Sequence, residues 1–451
     1  MQTKETEKRR PGKRRGGRYK VLLIASLCAF AVLSSSLTGT VLMRRHEAAN
    51  AAELAVAIDQ SLSQLSQSVI TSSPHSASSQ ATALPPDQLA TYVSAATAAP
   101  FSATEPPKQS FSFCAAGSIQ INANVQKAMK DDTGYLFSTL FGELSGDLNA
   151  DLSIATLENT VISSEKSSDS NVPVDILSPI RSTGVNALCL GYSGVLNGGM
   201  SGLAETKGAI LQAGITPYGA YASRQERNAL TLIDVKGIRV ALLSYQNDLT
   251  SAGKKKTTDE ERAFAIANQQ LPVISSEIAT ARKAGAQVVV VSLCWGKVGA
   301  TSPTDTQLEL AQGIADAGAD IILGTHTGTL LPVRVLTANR GDGKYHPVLC
   351  AYSMGNLFTY DREKRTTLAS ILLKAEVVYD PVSGCVAFDN LSYTPTYSWR
   401  GKEDGKTRYR VLINDGTTYP DYVDKDQKNV MERCYSLVES VMADTPVPLA
   451  Q

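Results

Sequence analysis

Residues 288–332 read VVVVSLCWGKVGATSPTDTQLELAQGIADAGADIILGTHTGTLLP, and they fix the kind of fold available to the chain. An apolar run starts at Val288 and breaks at Cys294-Trp295-Gly296. A helical stretch follows, and a second apolar run ends at Gly324-Thr325-His326. Two such runs joined by a helix form a strand–helix–strand unit, the connection that parallel strands need. Polar residues stand just past the carboxyl end of each strand, where open α/β sheets bind ligands.

The same texture extends both ways. Apolar runs recur at Phe111–Ala116, Leu152–Leu157, Ala187–Leu190, Arg239–Tyr245, Ile321–Gly324 and Val348–Ser353, with helical stretches at Gly199–Ala213, Leu271–Ala284 and Thr304–Ala317. This alternation predicts parallel βαβ units with both sheet faces covered. After Gly355 the pattern turns to strands. Thr367–Tyr379 and Cys385–Thr394 are joined by a hairpin-like turn at Asp380-Pro381-Val382-Ser383-Gly384, and Asp424–Met442 reads as a terminal helix. We expect one layered α/β domain over residues 111–400 and a carboxy-terminal extension over 401–451.

The amino-terminal quarter has another character. Residues 1–20 carry nine Lys/Arg against two Glu and read as a basic cytoplasmic tail. Val21–Met43 has no charge and is long enough to cross a hydrocarbon core of roughly 30 Å. The positive cluster ahead of it favours a single-pass anchor in the cell membrane, amino terminus cytoplasmic and everything after residue 45 outside. A cleaved signal peptide and a buried soluble helix are the alternatives. Residues 46–72 have apolar positions at helical spacing and predict either a membrane-proximal stalk or a solvated helix. Residues 73–109 are rich in Ser, Ala, Thr and Pro and read as a linker. With the basic tail set aside the remainder is mildly acidic, which gives a nucleic-acid role no electrostatic support. Of seven cysteines, Cys28 lies in the apolar span, and Cys114, Cys189, Cys294 and Cys350 sit in or at the end of apolar runs. Cys385 and Cys434 fall near the carboxyl end. The spacings show no disulfide framework, so free and mostly buried thiols are expected.

Five local patterns and a trailing piece, in order, carry a resemblance to a known family. Phe113–Ile119 reads FCAAGSI, Ala155–Thr160 reads ATLENT, and Gly191–Gly199 reads GYSGVLNGG. Cys294-Trp295-Gly296 and Gly324-Thr325-His326-Thr327-Gly328 follow, and Tyr352–Phe358 reads YSMGNLF. Together they resemble the CapA/PgsA capsule-synthesis family, whose domain is a layered α/β/β/α sandwich of the metallophosphoesterase type. In that family the polar positions of these blocks hold a pair of metals. Here Ser118 stands for the metal-binding aspartate, Thr156 for an asparagine, and Tyr192, Ser193 and Gly194 for two asparagines and a histidine. Asn197 and Gly199 match the Asp and Gly positions of that block, Cys294 replaces a histidine, and Gly328 replaces the second histidine of its block. Glu158, His326 and Asn356 are kept.

Two-metal phosphoester hydrolysis needs bridging carboxylates, amides and imidazoles around both ions. Of four histidines in the chain, only His326 and His346 fall within the domain. The resemblance therefore implies a binding cleft lined by Ser118, Glu158, Tyr192, Asn197, Cys294, Trp295, His326 and Asn356, without a two-metal centre and with no cofactor. The alternative is a reduced site in which Glu158, Cys294 and His326 hold a single divalent metal such as zinc, with Glu158 and His326 as the catalytic candidates of a metal-dependent hydrolase. Trp295 and Tyr192 could stack on a sugar ring or pack into the core, the core being the expected place for Trp295. The implied role is a non-catalytic binding or scaffolding component of capsule or cell-envelope polymer synthesis or export, poly-γ-glutamate in some relatives. Its partners would be the membrane, synthase subunits or the anionic polymer itself.

Overall fold

The computed structural model describes residues 105–163 and 168–450. The basic tail, the apolar span Val21–Met43, and the stalk and linker up to residue 104 lie outside the described residues. Among those described, no helix is long and apolar enough to cross a membrane.

Thirteen strands build two large sheets. In chain order they are β1 (Gln109–Ile119), β2 (Leu152–Leu157), β3 (Ala187–Cys189), β4 (Thr216–Tyr218), β5 (Leu232–Val235), β6 (Ile238–Gln246) and β7 (Val288–Cys294). Then come β8 (Ile321–Thr325), β9 (Leu330–Ala338), β10 (His346–Met354), β11 (Ala369–Tyr379), β12 (Val386–Glu403) and β13 (Lys406–Ile413). The first sheet has the order β13-β12-β11-β1-β2-β3-β4 and the second β9-β10-β8-β7-β6-β5. The centre of each is parallel: β1, β2, β3 and β4 in one, β6, β7, β8 and β10 in the other. Antiparallel strands complete one side of the first sheet and both edges of the second.

Strand periodicity explains why the central runs are apolar throughout. Val288 and Val290 of β7 point into a core shared by both sheets, together with Phe111, Phe113, Ile154 and Leu242. The alternate residues Val289, Val291 and Leu293 face outward onto the helices α3 (Leu271–Lys283) and α4 (Asp305–Asp316), through Ile274, Ile278 and Ile314. On the other side, Cys114 and Ala116 of β1 face α1 (Leu177–Ser182) and α2 (Gly199–Gln212), through Ile180, Leu203 and Ile210. A strand covered on both faces has no solvent side, so it needs no polar alternation. The layer order is α/β/β/α, as the resemblance implied.

Local chemistry sets the helix starts. α4 begins at a capping box in which the Thr304 hydroxyl accepts from the Gln307 N–H and the Gln307 side chain accepts from the Thr304 N–H. The last helix, α5 (Lys425–Met442), uses Asp424 and Gln427 in the same way. Residues 401–451, set apart in the sequence as an extension, contribute β13 and α5 to this same compact unit. Met431, Cys434, Val438 and Met442 of α5 close one end of the inter-sheet core. The six described cysteines are all unpaired.

Candidate functional site

The parallel strands of both sheets deliver the family's positions to loops at their carboxyl ends, and backbone bonds tie the two sheets together there. β1 shifts register against β2 between Ala115 and Ser118. The Ser118 N–H donates to Gly355 O at 3.2 Å, the Phe358 N–H to Ser118 O at 3.1 Å, and the Gln120 N–H to Phe358 O at 2.9 Å. The segment after β10 thus runs beside the end of β1 and brings Asn356 to the same edge as Ser118.

Glu158 follows β2 and is half-buried. Its carboxylate accepts from Gln120 Nε2 at 2.9 Å, and Gln120 Oε1 in turn accepts from the Thr359 hydroxyl at 3.2 Å. Glu158, Tyr192 and Cys294 lie within electrostatic reach of one another. Burial pushes the Tyr192 phenol far above its ordinary range, and the Glu158 charge adds to that rise. Burial likewise pushes up the Cys294 thiol, with Glu158 the next contribution. Without a bound cation, burial therefore favours the neutral form of both groups.

The loop after β3 carries Gly194, where the resemblance implies a histidine. A β-carbon on Gly194 would lie 2.8 Å from Tyr192 Cε2 and 2.9 Å from Asn197 Nδ2. The tyrosine ring and the asparagine amide occupy the space into which a side chain at 194 would project. Asn197 is itself fastened: its Oδ1 accepts from the Thr250 hydroxyl, and its backbone carbonyl accepts from Lys256 Nζ at 2.5 Å. Ser193 O accepts from the Thr250 N–H at 3.0 Å, so the whole loop is braced from outside.

On the second sheet the predicted residues divide. Trp295 is turned into the core, 4% exposed, its Nε1 donating to Tyr352 O at 2.9 Å and its ring stacked on Tyr352 at 5.8 Å. Gly324 lies within β8 rather than in a turn. It is glycine because a β-carbon there would stand 2.3 Å from Trp295 Nε1 and 2.0 Å from Tyr352 O. Asn356 Nδ2 donates to Gly328 O at 3.0 Å, while its buried Oδ1 has no partner among the described residues. His326 is half-buried with φ of 86°, a left-handed backbone that few non-glycine residues adopt, and its ring makes no hydrogen bond among the described residues.

A model of the family described as bacterial capsule synthesis protein PGA_cap matches residues 112–361, more than half of the sequence. The chain belongs to that family. Two curated relatives are similar over part of their length. One is the PGA biosynthesis protein CapA of Bacillus subtilis, 29% identical over 180 residues, covering 39% of this chain and 43% of that protein. The other is the capsule biosynthesis protein CapA of Bacillus anthracis, 28% identical over 195 residues, covering 43% and 45%. The chain thus spans less than half the length of either. Among solved structures, the calcineurin-like phosphoesterase YfkN from Bacillus subtilis is similar at 13% identity and a TM-score of 0.38, over 74% of this chain and 99% of that one.

The PGA_cap chain's residues do not fit a metal pair. At the positions the resemblance assigns to ligands stand a hydroxyl (Ser118), a thiol (Cys294) and two glycines, and the space beside Gly194 is filled. Among the described residues, no group of three or more His, Cys, Asp or Glu side chains is placed to hold a metal ion. The set of Glu158, Cys294 and His326 expected as an alternative does not form such a group among the described residues. Sequence reasoning missed Gln120, the partner of Glu158. Its only signal was a position two residues past Ser118, at the end of the same strand.

Proposed function

We propose that this PGA_cap protein is a membrane-anchored, extracytoplasmic and non-catalytic component of capsule or cell-envelope polymer synthesis or export, binding or scaffolding a poly-γ-glutamate-like chain or its synthase. Family membership supports the capsule role, and the apolar span Val21–Met43 with its basic flank supports the anchor. The observation that carries the non-catalytic reading is the Tyr192 ring and Asn197 amide packed where the side chain of residue 194 would project. A loop that has filled the ligand's place and braced it from Thr250 and Lys256 is built for packing, not for holding an ion.

Elemental analysis of the purified full chain tests this directly. The expected result is less than one divalent ion per chain, unchanged by Cys294→Ala and His326→Ala, together with capture of membrane synthase subunits or γ-glutamate polymer without turnover. Stoichiometric metal lost in those variants, accompanied by chelator-sensitive hydrolysis of phosphoesters or polymer, would establish the single-metal hydrolase instead.

A further inference from the structure

The loop that follows Phe358 sends Arg362 inward. Its Nη1 donates to Ser398 O, but Nε and Nη2 are buried with no hydrogen-bond partner among the described residues. These two nitrogens form one edge of the guanidinium, the side-on fork that matches two oxygens of a carboxylate or phosphate. Burying such a fork unpaired is costly, and native structures leave few groups in that condition.

A second arginine adds to the cost. The Arg362 guanidinium lies 5.9 Å from the centre of the Tyr409 ring, and that of Arg400 lies 6.0 Å from the same ring. Neither is in an ion pair among the described residues, so two like charges share one aromatic ring with no carboxylate in direct contact. Burial holds the Arg362 guanidinium below its ordinary range, and Arg400 pushes the same way. The two arginines, Tyr409, Tyr360 and Asn122 line a cavity of about 370 Å³. Asp361 and Glu363 are also at its wall. Asp361 offsets part of the Arg362 charge through space, but neither it nor the exposed Glu363 forms an ion pair or hydrogen bond with the fork among the described residues. The cavity adjoins the family site: Thr359, beside Tyr360, donates to the Gln120 side chain that holds Glu158.

We propose that Arg362 and Arg400, gathered at Tyr409, form an oxyanion-binding pocket that takes a carboxylate or phosphate group in the cavity lined by the two guanidinium groups, the buried Nε–Nη2 edge of Arg362 turning to meet it. The pocket stands on its own geometry and goes beyond the polymer reading. An anion there supplies the missing acceptors, separates the two like charges, and leaves room for the rest of a larger ligand to leave through the open side.

Isothermal titration of the full chain in detergent tests this, with γ-glutamyl-glutamate in one arm and inorganic phosphate in the other. At least one anion should bind saturably, one per chain. Arg362→Lys keeps the charge but removes the fork and should weaken binding by about tenfold or more. Arg400→Gln, at an exposed side chain, should weaken it less and leave thermal unfolding unchanged, so it decides the matter if the Arg362 variant fails to fold. Binding of the dipeptide alone supports the pocket and points to a carboxylate polymer. Binding of phosphate alone supports the pocket and removes that polymer as its ligand. No saturable binding of either anion by the wild type, or binding unaffected in both variants, overturns the proposal, whatever the metal content shows.

Discussion

Gly117 and Gly355 meet so closely that a β-carbon on Gly117 would stand 2.1 Å from the carbonyl oxygen of Gly355. The contact is backbone against backbone, so no flexible side chain can yield. It is the point where the two sheets touch at the site edge, one residue from Ser118 and one from Asn356.

Gly117→Ala should therefore destabilise the protein by about 2–3 kcal/mol or more, the upper range for overpacking a well-filled interior. Urea unfolding followed by circular dichroism measures it. A loss below about 0.5 kcal/mol, the ordinary range for substitutions away from such contacts, would show that the strand ends can separate freely.

Placing at residue 194 the imidazole that the resemblance implies should not create a metal centre. Gly194→His meets the Tyr192 ring at 2.8 Å from its first side-chain atom. We expect a stability loss of about 1–3 kcal/mol and no gain in bound metal by elemental analysis. Tight uptake of two ions by this single variant would refute our account of the loop.

Asp320 is 1% exposed and carries its region electrostatically. Its carboxylate accepts from Arg282 at 2.6 Å, from Arg340 at 3.1 Å and from the Val289 N–H at 2.8 Å. Asp320→Ala leaves two guanidinium groups facing a buried void and should cost about 3–5 kcal/mol. A thermal melt shifted by only a degree or two would contradict this.

Stability should fall in alkali. Burial pushes the Cys114 thiol from an ordinary 9.0 up to about 12. Between those values the unfolded chain loses the proton and the folded chain keeps it, so the unfolded state binds fewer protons and stability drops as pH rises. The contribution is intact below pH 9 and should decline by roughly 1 kcal/mol per pH unit above it. Unfolding measured at several pH values from 8 to 11 should show a shallower decline for Cys114→Ala than for the wild type. Equal slopes would mean that the thiol is not protected.

The central architecture was legible because a strand buried on both faces writes itself as an unbroken apolar run. Leu152–Leu157 coincides with β2, and Val288–Leu293 falls one residue short of β7. β13 and the far half of β12 were not read as strands. They lie at a sheet edge and carry Thr, Tyr, Arg and Lys, whose aliphatic stems and rings pack while their polar tips stay wet. At the site, Glu158, Tyr192 and Cys294 could be placed together because each stands at or just past the carboxyl end of a parallel strand. Trp295, expected both among the cleft residues and in the core, is in the core. Arg362, Arg400 and Tyr409 come from three separate segments, and a charged run such as Asp361–Arg365 looks solvated until the tertiary fold turns one member inward.

The closing of the inter-sheet core by α5 has a consequence for biosynthesis. β1 pairs with β11, more than 250 residues later, and the helix that seals the same interior is later still. A nascent chain must expose its most apolar strands until synthesis is nearly finished, so premature termination near residue 400 should yield an aggregation-prone product rather than a smaller working domain.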